Sequence, residues 1–411
     1  MKKLLVVLMV LALAAPAAMA DDTLDLSGAM RARAFDKTNH NFDTDTDTDH
    51  RQYWDQRFRV QGTITPSEGV QGVFRLDMAE NVWGSDDMDD LDSNQDPGGV
   101  DVDRAYLVAT KGPVTVVAGL QYLGLGNAVA YDAVHTGLAF VIKTPLVITA
   151  GWAKVDEDQT DVGDTTDEEG FEDIDHYFIN LGYSAKAFSV NGFYAFQTDG
   201  ADGTAANPNV EANAIGVQGK FAVGPVNFNV ELNIFGGEID DGTSTVDLVG
   251  TQLFGDVNMA MSDALTLGLN FVYSMGTDED NEVKLTCLTD DGSTVFADYG
   301  SMNTLGISPL GRNDIFDDGN GTGTLGGILY TKFQVIPDLT LFGSVGYVTA
   351  ETELDMTGEL DSLMLVNLSA KYTLVPNAHI SLHYGYFDLT AADDVDTDNA
   401  TTLGARLQID F

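Results

Sequence analysis

Six of the arginines between residues 31 and 104 form the most concentrated group of side chains that could bind a ligand. Most of them alternate with apolar residues; Arg31, for example, lies between Met30 and Ala32. Alternate side chains of an extended strand share a face, so we expect all six to point away from the apolar face. They are Arg31, Arg33, Arg57, Arg59, Arg75 and Arg104. Because guanidinium groups bind carboxylates and phosphates, the spacing predicts one basic wall that favours anions.

Aspartates on the same segments offer these arginines partners. They are Asp25, Asp55, Asp77 and Asp103. The arginines therefore form either a free basic wall or a ladder of ion pairs. The two interpretations are compatible, because a paired ladder still sets a local field.

Acidic runs suggest cation binding. The run "DTDTDTDH" at Asp43–His50 has the oxygen spacing of the start of an EF-hand loop. The glycine required at the sixth position of such a loop would be Thr48, and the glutamate at its twelfth would be Trp54, so that interpretation fails. Two others stay open: acidic loops that hold divalent cations loosely, and ordinary solvated surface loops.

The histidines and hydroxyl residues do not suggest catalysis. His379 and His383 lie four residues apart on one predicted strand, which separates them by about 13 Å, too far to share a metal ion. The sequence contains no nucleophile elbow. We therefore expect no enzyme activity and no resident cofactor or metal.

The segments that carry these residues alternate apolar and polar side chains with a period of two, which is typical of strands with two different faces. The stretch "VNFNVELNI" at Val226–Ile234 is an example. Eighteen such segments are predicted, and sixteen stays open. Residues 276–324 lie outside the eighteen, and there "EVKLTCL" and "STVFADYG" could form a hairpin within one long loop. The eighteen lie near 24–35, 52–65, 70–80, 102–110, 114–121, 136–143, 145–154, 176–184, 188–197, 211–222, 226–236, 248–260, 265–275, 325–335, 339–349, 363–374, 378–388 and 401–411.

Connections between these segments alternate in length, which favours a membrane barrel over a soluble sandwich. Short connections such as "KGP" and "VGP" alternate with long and mostly acidic ones. This is the rhythm of short periplasmic turns and long external loops in a transmembrane antiparallel β-barrel. A barrel of sixteen to eighteen strands is too wide for its own side chains to fill, so its polar faces would line water.

The N-terminus predicts export. Lys2 and Lys3 precede an apolar run, and Ala18-Met19-Ala20 offers small residues for cleavage before Asp21. We therefore expect a signal peptide at 1–20 and a single barrel domain at 21–411. The chain has 64 acidic against 20 basic side chains, a formal charge of −44, which argues against nucleic acid as a partner.

One connection on the long-loop side is not acidic and is a candidate to narrow the lumen. It is "QYLGLGNAVAYDAVHTG" at Gln121–Gly137, and Asp132 is its only carboxylate. An apolar, glycine-bearing loop fits better inside the barrel than in external water, although a short external loop stays open. Its candidate constriction residues are Tyr131, Asp132 and His135.

The chain ends in an amphipathic strand with a terminal phenylalanine, "LGARLQIDF". With the barrel pattern, this end resembles the Gram-negative outer-membrane porins of the trimeric general-diffusion type. Leu403, Leu407, Ile409 and Phe411 match the terminal pattern that the barrel assembly machinery reads in that family. The resemblance also places an inward constriction loop after the fifth strand, where Gln121–Gly137 lies; in the family that loop is typically richer in acid.

The resemblance implies a homotrimer in the bacterial outer membrane that lets small hydrophilic solutes and ions diffuse passively. Lipid and lipopolysaccharide would be its surroundings, and acidic external loops could hold divalent cations there. The acidic mouth favours cations and the arginines favour anions, and the charge excess favours cation preference overall. Two alternatives stay open: a solute-specific channel, and a structural or plugged barrel.

Overall fold

A computed structural model describes residues 23–39, 50–83, 100–156, 174–199, 208–276, 282–288, 323–351, 360–391 and 397–411. The predicted signal peptide at 1–20, most of the acidic runs and the segment Ser293–Gly300 lie outside the described residues. Among the described residues, no helix has the length and apolar character needed to span a membrane.

The described chain consists of nineteen strands joined by turns and loops. They are β1 (Thr23–Thr38), β2 (His50–Ser67), β3 (Val70–Val82), β4 (Val100–Lys111), β5 (Val114–Leu125), β6 (Tyr131–Lys143), β7 (Leu146–Asp156), β8 (Ile174–Ser184), β9 (Phe188–Asp199), β10 (Asn209–Val223), β11 (Val226–Asp240), β12 (Thr245–Ala260), β13 (Leu265–Ser274), β14 (Glu282–Lys284), β15 (Thr324–Ile336), β16 (Leu339–Thr349), β17 (Leu360–Val375), β18 (Ala378–Ala391) and β19 (Ala400–Asp410).

Eighteen of these strands form one closed antiparallel barrel. Each pairs with its neighbours in the chain, and β1 also pairs with β19, with Arg33 opposite Arg406. The amide of Phe411 and the carbonyl of Gly28 are 3.0 Å apart, and the reverse bond is 2.8 Å long, so the sheet has no open edge at the chain ends. The prediction of eighteen spanning strands is therefore confirmed.

The remaining strand, β14, lies in the described part of the region 276–324. β14 has three residues and runs parallel to β12, pairing Asp247–Val249 with Glu282–Lys284. It pairs beyond Gln252, where the pairing of β12 with β13 ends. β14 adds three paired residues at the long-loop end of the wall and is not a spanning strand.

Turn chemistry separates the two ends of the barrel. The eight connections at one end have two to four residues, and the described part of the chain begins and ends there. In two of these turns Gly112 and Gly224 have φ of 59° and 61°, and a proline follows each. Positive φ at the first central position is what a type II′ hairpin turn requires, and it matches the twist of the flanking strands.

The two faces of the wall have opposite character. On β19, Leu403 is 58 % exposed on the outside, whereas its neighbour Thr402 is buried on the inside. Outward residues of other strands follow the same rule, as Ile215 and Leu232 do. Aromatic rings stack outside at both ends, Trp54 on Trp83 near the long loops and Phe221 on Phe228 near the short turns. An apolar band bounded by aromatic rings is what a bilayer requires of a barrel.

Candidate functional site

The long-side ends of β5 and β6 leave the wall of the barrel. β5 pairs with β4 only up to Leu120, and β6 pairs with β7 only from Thr136 onward. Beyond these points the two strands pair only with each other, from Gln121 opposite His135 to Leu125 opposite Tyr131. The predicted loop Gln121–Gly137 is thus mostly a hairpin, which we call the lumen hairpin, with a tip at 126–130.

The tip of the lumen hairpin lies against strands on the far side of the barrel. Val129 is fully buried against Val272 of β13, with Phe254 of β12 beside it. Asn127 reaches β10 and β11. Because the hairpin starts at β5 and β6, contacts on β10 to β13 require it to lie across the lumen.

A buried carboxylate holds the tip in place. Glu231 of β11 is 1 % exposed and accepts hydrogen bonds from the backbone amide of Asn127 and, at 3.1 Å, from the side-chain amide of Asn233. The side-chain oxygen of Asn127 accepts from Asn229 at 2.9 Å and from Gln218. These hydrogen bonds join the tip to β10 and β11, and we call the residues that form them the latch of the hairpin.

The backbone of the tip is shaped to meet this latch. Gly126 has φ of 63°, and a Cβ atom at that position would lie 2.5 Å from both carboxylate oxygens of Glu231. Ala128 also has positive φ, at 62°, which is uncommon for a residue with a side chain. Both observations indicate a tip whose conformation is imposed by its contact with the wall.

An apolar bed supports the hairpin from behind. Tyr131 is fully buried and belongs to a cluster with Phe178, Phe193 and Phe235, whose side chains point inward from β8, β9 and β11. Small inward residues, Ala195 among them, leave room for the hairpin. On these strands both faces are therefore apolar near the long-loop end, since the hairpin covers the inner face.

Two histidine side chains connect the hairpin to this apolar cluster. The ring nitrogen Nδ1 of His176 lies 2.8 Å from the hydroxyl of Tyr131, and its Nε2 lies 3.0 Å from Gln197 Oε1. The ring of His135 is 5.7 Å from that of His176. Tyr131 and His135 thus lie on the supported side of the hairpin.

The other side of the hairpin faces the arginines. Asp132 hydrogen-bonds to the hydroxyl of Tyr122, its neighbour on the hairpin. The guanidinium carbon of Arg104 lies 5.1 Å from the centre of the Tyr122 ring, a cation–π distance. The hairpin and the wall of β4 therefore meet at Arg104.

A second segment contacts the tip of the hairpin from the long-loop end of the barrel. Residues 282–288, which we call the strap, are bonded to β12 through the amide of Leu285 to the carbonyl of Val249 at 2.7 Å. At its end, the amide of Leu288 and the thiol of Cys287 both donate to the carbonyl of Ala130, at 3.1 and 3.3 Å. The strap bonds to the tip at Ala130 and the latch bonds to it at Asn127, so two separate sets of hydrogen bonds hold the tip in place.

The predicted arginines line the inside of β1 to β4, mostly as ion pairs. Nε of Arg33 lies 2.8 Å from Asp55 Oδ1 and its Nη2 lies 2.7 Å from Oδ2, a bidentate and buried pair. Arg59 binds Asp77.

The next pair of strands repeats this arrangement. Asp103 forms an ion pair with Arg75, and Arg104 Nε lies 3.2 Å from the same carboxylate. Arg31 and Arg57 are cross-strand partners of each other. The structure thus brings the six arginines together on one wall, with carboxylates among them.

Sequence reasoning did not predict that the inward basic residues continue from β1 onto β19 and β17, across the pair of strands that closes the barrel. Arg406 of β19 is opposite Arg33 of β1, and Ser381 of β18 is opposite both Arg406 and Lys371 of β17. The alternation of β17 to β19 indicates that these residues point inward. Only the pairing of β19 with β1 places them beside the arginines of β1.

The predicted terminal residues lie on the outside. Leu407, Ile409 and Phe411 are each between 44 % and 50 % exposed. The ring of Phe411 lies over Gly28 and 6.0 Å from the ring of Phe58. The described residues contain no group of three or more histidine, cysteine or acidic side chains that could hold a metal ion.

Comparison with known proteins agrees with this geometry. A family model described as Gram-negative porin matches residues 7–409. No curated protein sequence matches the chain.

Solved structures share its fold at low identity. OccAB3 of Acinetobacter baumannii is 12 % identical, with 95 % of this chain and 100 % of that chain covered and a TM-score of 0.59. OccK11 (OpdR) of Pseudomonas aeruginosa is 10 % identical, with 94 % of this chain and 96 % of that chain covered and a TM-score of 0.57. The outer membrane channel DcaP of Acinetobacter baumannii is 11 % identical, with 95 % of this chain and 97 % of that chain covered and a TM-score of 0.53. At these identities the likeness extends to the fold.

The latch predicts the exchange behaviour of the hairpin. Replacing Glu231 by Ala removes the acceptor of the Asn127 amide, and leaving a buried donor unsatisfied costs about 1–3 kcal/mol. We expect amide hydrogen exchange in peptides covering residues 121–137 to become about five- to a hundredfold faster at the tip. Mass spectrometry of the exchanged protein measures this.

Asp256→Ala is the matched control. Asp256 is also a carboxylate on the inside of the barrel, but it accepts from Tyr330 at 2.7 Å and from Asn258. Exchange of the hairpin should be unchanged in this variant. Equal protection of the tip in Glu231→Ala and in the unaltered protein would contradict the latch.

Proposed function

The chain belongs to the Gram-negative porin family, and from this premise we propose how its barrel admits solutes. It forms a water-filled channel in the outer membrane for passive diffusion of small hydrophilic solutes. The observation that carries the mechanism is the lumen hairpin, latched to Glu231 on one side and meeting Arg104 on the other. We propose that solutes pass between the hairpin and the arginine wall.

In this mechanism the residues of the hairpin have two roles, lining the passage and supporting the hairpin. Asp132, with Tyr122, faces the passage and sets its size and local charge. Tyr131 and His135 lie toward the supporting wall and hold the hairpin at its position. The pore-lining basic wall is formed by Arg31, Arg33, Arg57, Arg59, Arg75 and Arg104.

For small ions we propose cation preference. Arg33 and Arg59 have carboxylate partners, so the wall contributes less positive field than its arginines alone would. The chain as a whole carries a formal charge of −44. A negative mouth concentrates cations before they reach the narrow part, and salt screens this effect.

We also propose the surroundings and the route of export. Residues 1–20 act as a cleaved signal peptide, and 21–411 form one barrel domain. Leu407, Ile409 and Phe411 present an outward apolar pattern to the barrel assembly machinery. Three copies assemble in lipid and lipopolysaccharide, where acidic loops hold divalent cations loosely. The protein has no enzyme activity and needs no cofactor.

Planar bilayers test the channel and its selectivity together. The purified protein should give discrete conductance steps, and under a potassium chloride gradient its zero-current potential should be cation-directed. The preference should shrink at about 1 M salt, where the screening length falls to about 3 Å. An anion-directed potential would overturn the cation preference, and absence of conductance would favour a plugged or structural barrel.

The terminal residue can be tested without altering the backbone that closes the barrel. Phe411→Asp keeps the two backbone bonds to Gly28 but places a charge on the outward face. We expect the amount of folded, heat-modifiable barrel in the outer-membrane fraction to fall severalfold, while Phe411→Tyr keeps it near normal. Normal insertion of Phe411→Asp would count against an assembly role for this residue.

A further inference from the structure

One row of paired residues crosses four strands on the inner face of the barrel, away from the arginines of β1 to β4. Asn227 of β11 pairs with Asn258 of β12, and Asn258 pairs with Gly268 of β13. Gly268 in turn pairs with Tyr330 of β15. Leu329, the neighbour of Tyr330, is 59 % exposed on the outside, so Tyr330 and its row face the lumen.

The aromatic ring of Tyr330 lies against the backbone of Gly268. A Cβ atom on Gly268 would be 2.1 Å from Cζ and 2.5 Å from Cε1 of that ring, so the ring fills the space of the missing side chain. Its hydroxyl donates to Asp256 Oδ2 at 2.7 Å, on the next strand beyond. Tyr330 is only partly buried, so the ring rests on the wall with one face and turns the other toward the lumen.

Polar side chains flank this ring along the row. The side-chain amide of Asn258 donates to Asp256 Oδ1 at 2.6 Å, and that of Asn227 donates to Asn258 Oδ1 at 3.1 Å. A carboxamide has two N–H donors and an oxygen with two lone pairs, so neither amide uses its full capacity in these bonds. Asn227 is exposed and Asp256 and Asn258 are partly exposed, so a solute in the lumen can reach all three.

The latch does not cover this row. Asn227 lies four residues from Glu231 on the same face of β11, about 13 Å closer to the short turns. Within the described ranges, the hydrogen bonds of the hairpin tip to β11 reach Asn229 and Glu231 but not Asn227. The row therefore lines open lumen on the short-turn side of the hairpin.

We propose that Tyr330, Asp256, Asn258 and Asn227, which we call the sugar array, bind the ring of a neutral saccharide in transit. The C–H face of a pyranose is apolar and stacks on the lumen face of the Tyr330 ring. Hydroxyl groups at the edge of the sugar donate to Asp256 and exchange hydrogen bonds with the two amides. The sugar array rests on the proposed function as a channel, and it names neutral saccharides as one solute class of that channel.

The hydrogen-bonding groups of the array favour hydroxyl groups over a cation. Both oxygens of Asp256 already accept, one from Tyr330 and one from Asn258. An ammonium group has donors only, so it could not use the N–H groups of the amides, whereas a hydroxyl both donates and accepts. A ring face beside mixed donors and acceptors is therefore better matched to a neutral polyhydroxylated ring than to an amine.

Saturation-transfer NMR tests the array on the whole purified protein, in a detergent without a sugar headgroup. The probe is methyl β-glucoside, and its signal reads binding without requiring conduction. We expect a response that saturates with glucoside concentration and is strongest at the ring C–H protons. Mannitol has the hydroxyl groups but no ring face, and tetramethylammonium chloride could stack on an aromatic ring as a cation. Conductance of the same preparation in planar bilayers is measured separately.

The variants separate stacking from hydrogen bonding. Tyr330→Ala removes the ring and should raise the half-saturating glucoside concentration about three- to tenfold, whereas Tyr330→Phe keeps the ring and should raise it less. Asn227→Ala removes an exposed amide and should raise it about two- to tenfold, the range for one hydrogen bond. Gln61→Ala is the matched control, because Gln61 is a partly exposed amide opposite Arg75 on the other wall. Binding should be unchanged in that variant.

Each outcome decides one of the two proposals. Saturable glucoside binding that weakens in Tyr330→Ala and Asn227→Ala, but not in Gln61→Ala, supports the sugar array. If Tyr330→Ala gives no heat-modifiable barrel, Asn227→Ala and Tyr330→Phe decide in its place.

Three results overturn the array and leave the channel intact: conduction without saturable glucoside binding, equal binding in all variants, and mannitol binding as tight as that of the glucoside. A saturable response to tetramethylammonium in place of the glucoside would also overturn it and assign the Tyr330 ring to cations. Glucoside binding with the expected losses, in a protein that shows no conductance, supports the array and overturns the proposed channel.

Discussion

Backbone hydrogen bonding in hydrocarbon is the constraint on which the rest of the structure depends. A bilayer offers no partners for N–H and C=O groups, so every spanning strand must be paired on both sides. The chain meets this requirement by pairing its first strand with its last, down to the terminal bonds between Gly28 and Phe411. Closure of eighteen strands then forces a lumen that the inward side chains alone cannot fill.

The wide lumen is the reason that the proposed mechanism depends on one hairpin. The long-side ends of β5 and β6 leave the sheet and occupy the half of the lumen lined by β7 to β13. Glu231 holds the tip by accepting from Asn127, and the strap bonds to Ala130 from the long-loop end. In the proposed mechanism, solutes pass between the hairpin and the charged wall of β1 to β4. In that mechanism the width of the passage depends on the hydrogen bonds that hold the hairpin tip against β10 and β11.

Much of this architecture could be predicted from the sequence because a period of two is a strong local signal. All eighteen predicted segments correspond to spanning strands, and the apolar composition of Gln121–Gly137 indicated a segment unlike the acidic loops. "EVKLTCL" shows the limit of that signal, since it alternates well but pairs over only three residues.

Long-range partners could not be predicted, because nothing local distinguishes them. Glu231 resembles any polar residue on the inner face until Asn127 is placed beside it. Likewise, the proximity of Arg406 to Arg33 depends on the register of the closing pair, and a shift of two residues would preserve the alternation equally well. The contacts that hold the hairpin tip and close the barrel are therefore the ones that alternation alone does not predict.

The central claim is that a water-filled barrel is narrowed by the lumen hairpin. Replacing residues 122–134 with a two-glycine turn removes the hairpin but keeps the paired parts of β5 and β6 in the wall. Single-channel conductance of this variant and of the unaltered protein, in the same bilayer and salt, measures the claim directly. The account predicts a severalfold larger conductance step for the shortened variant. An unchanged step, from a variant that still gives a heat-modifiable barrel, would contradict it.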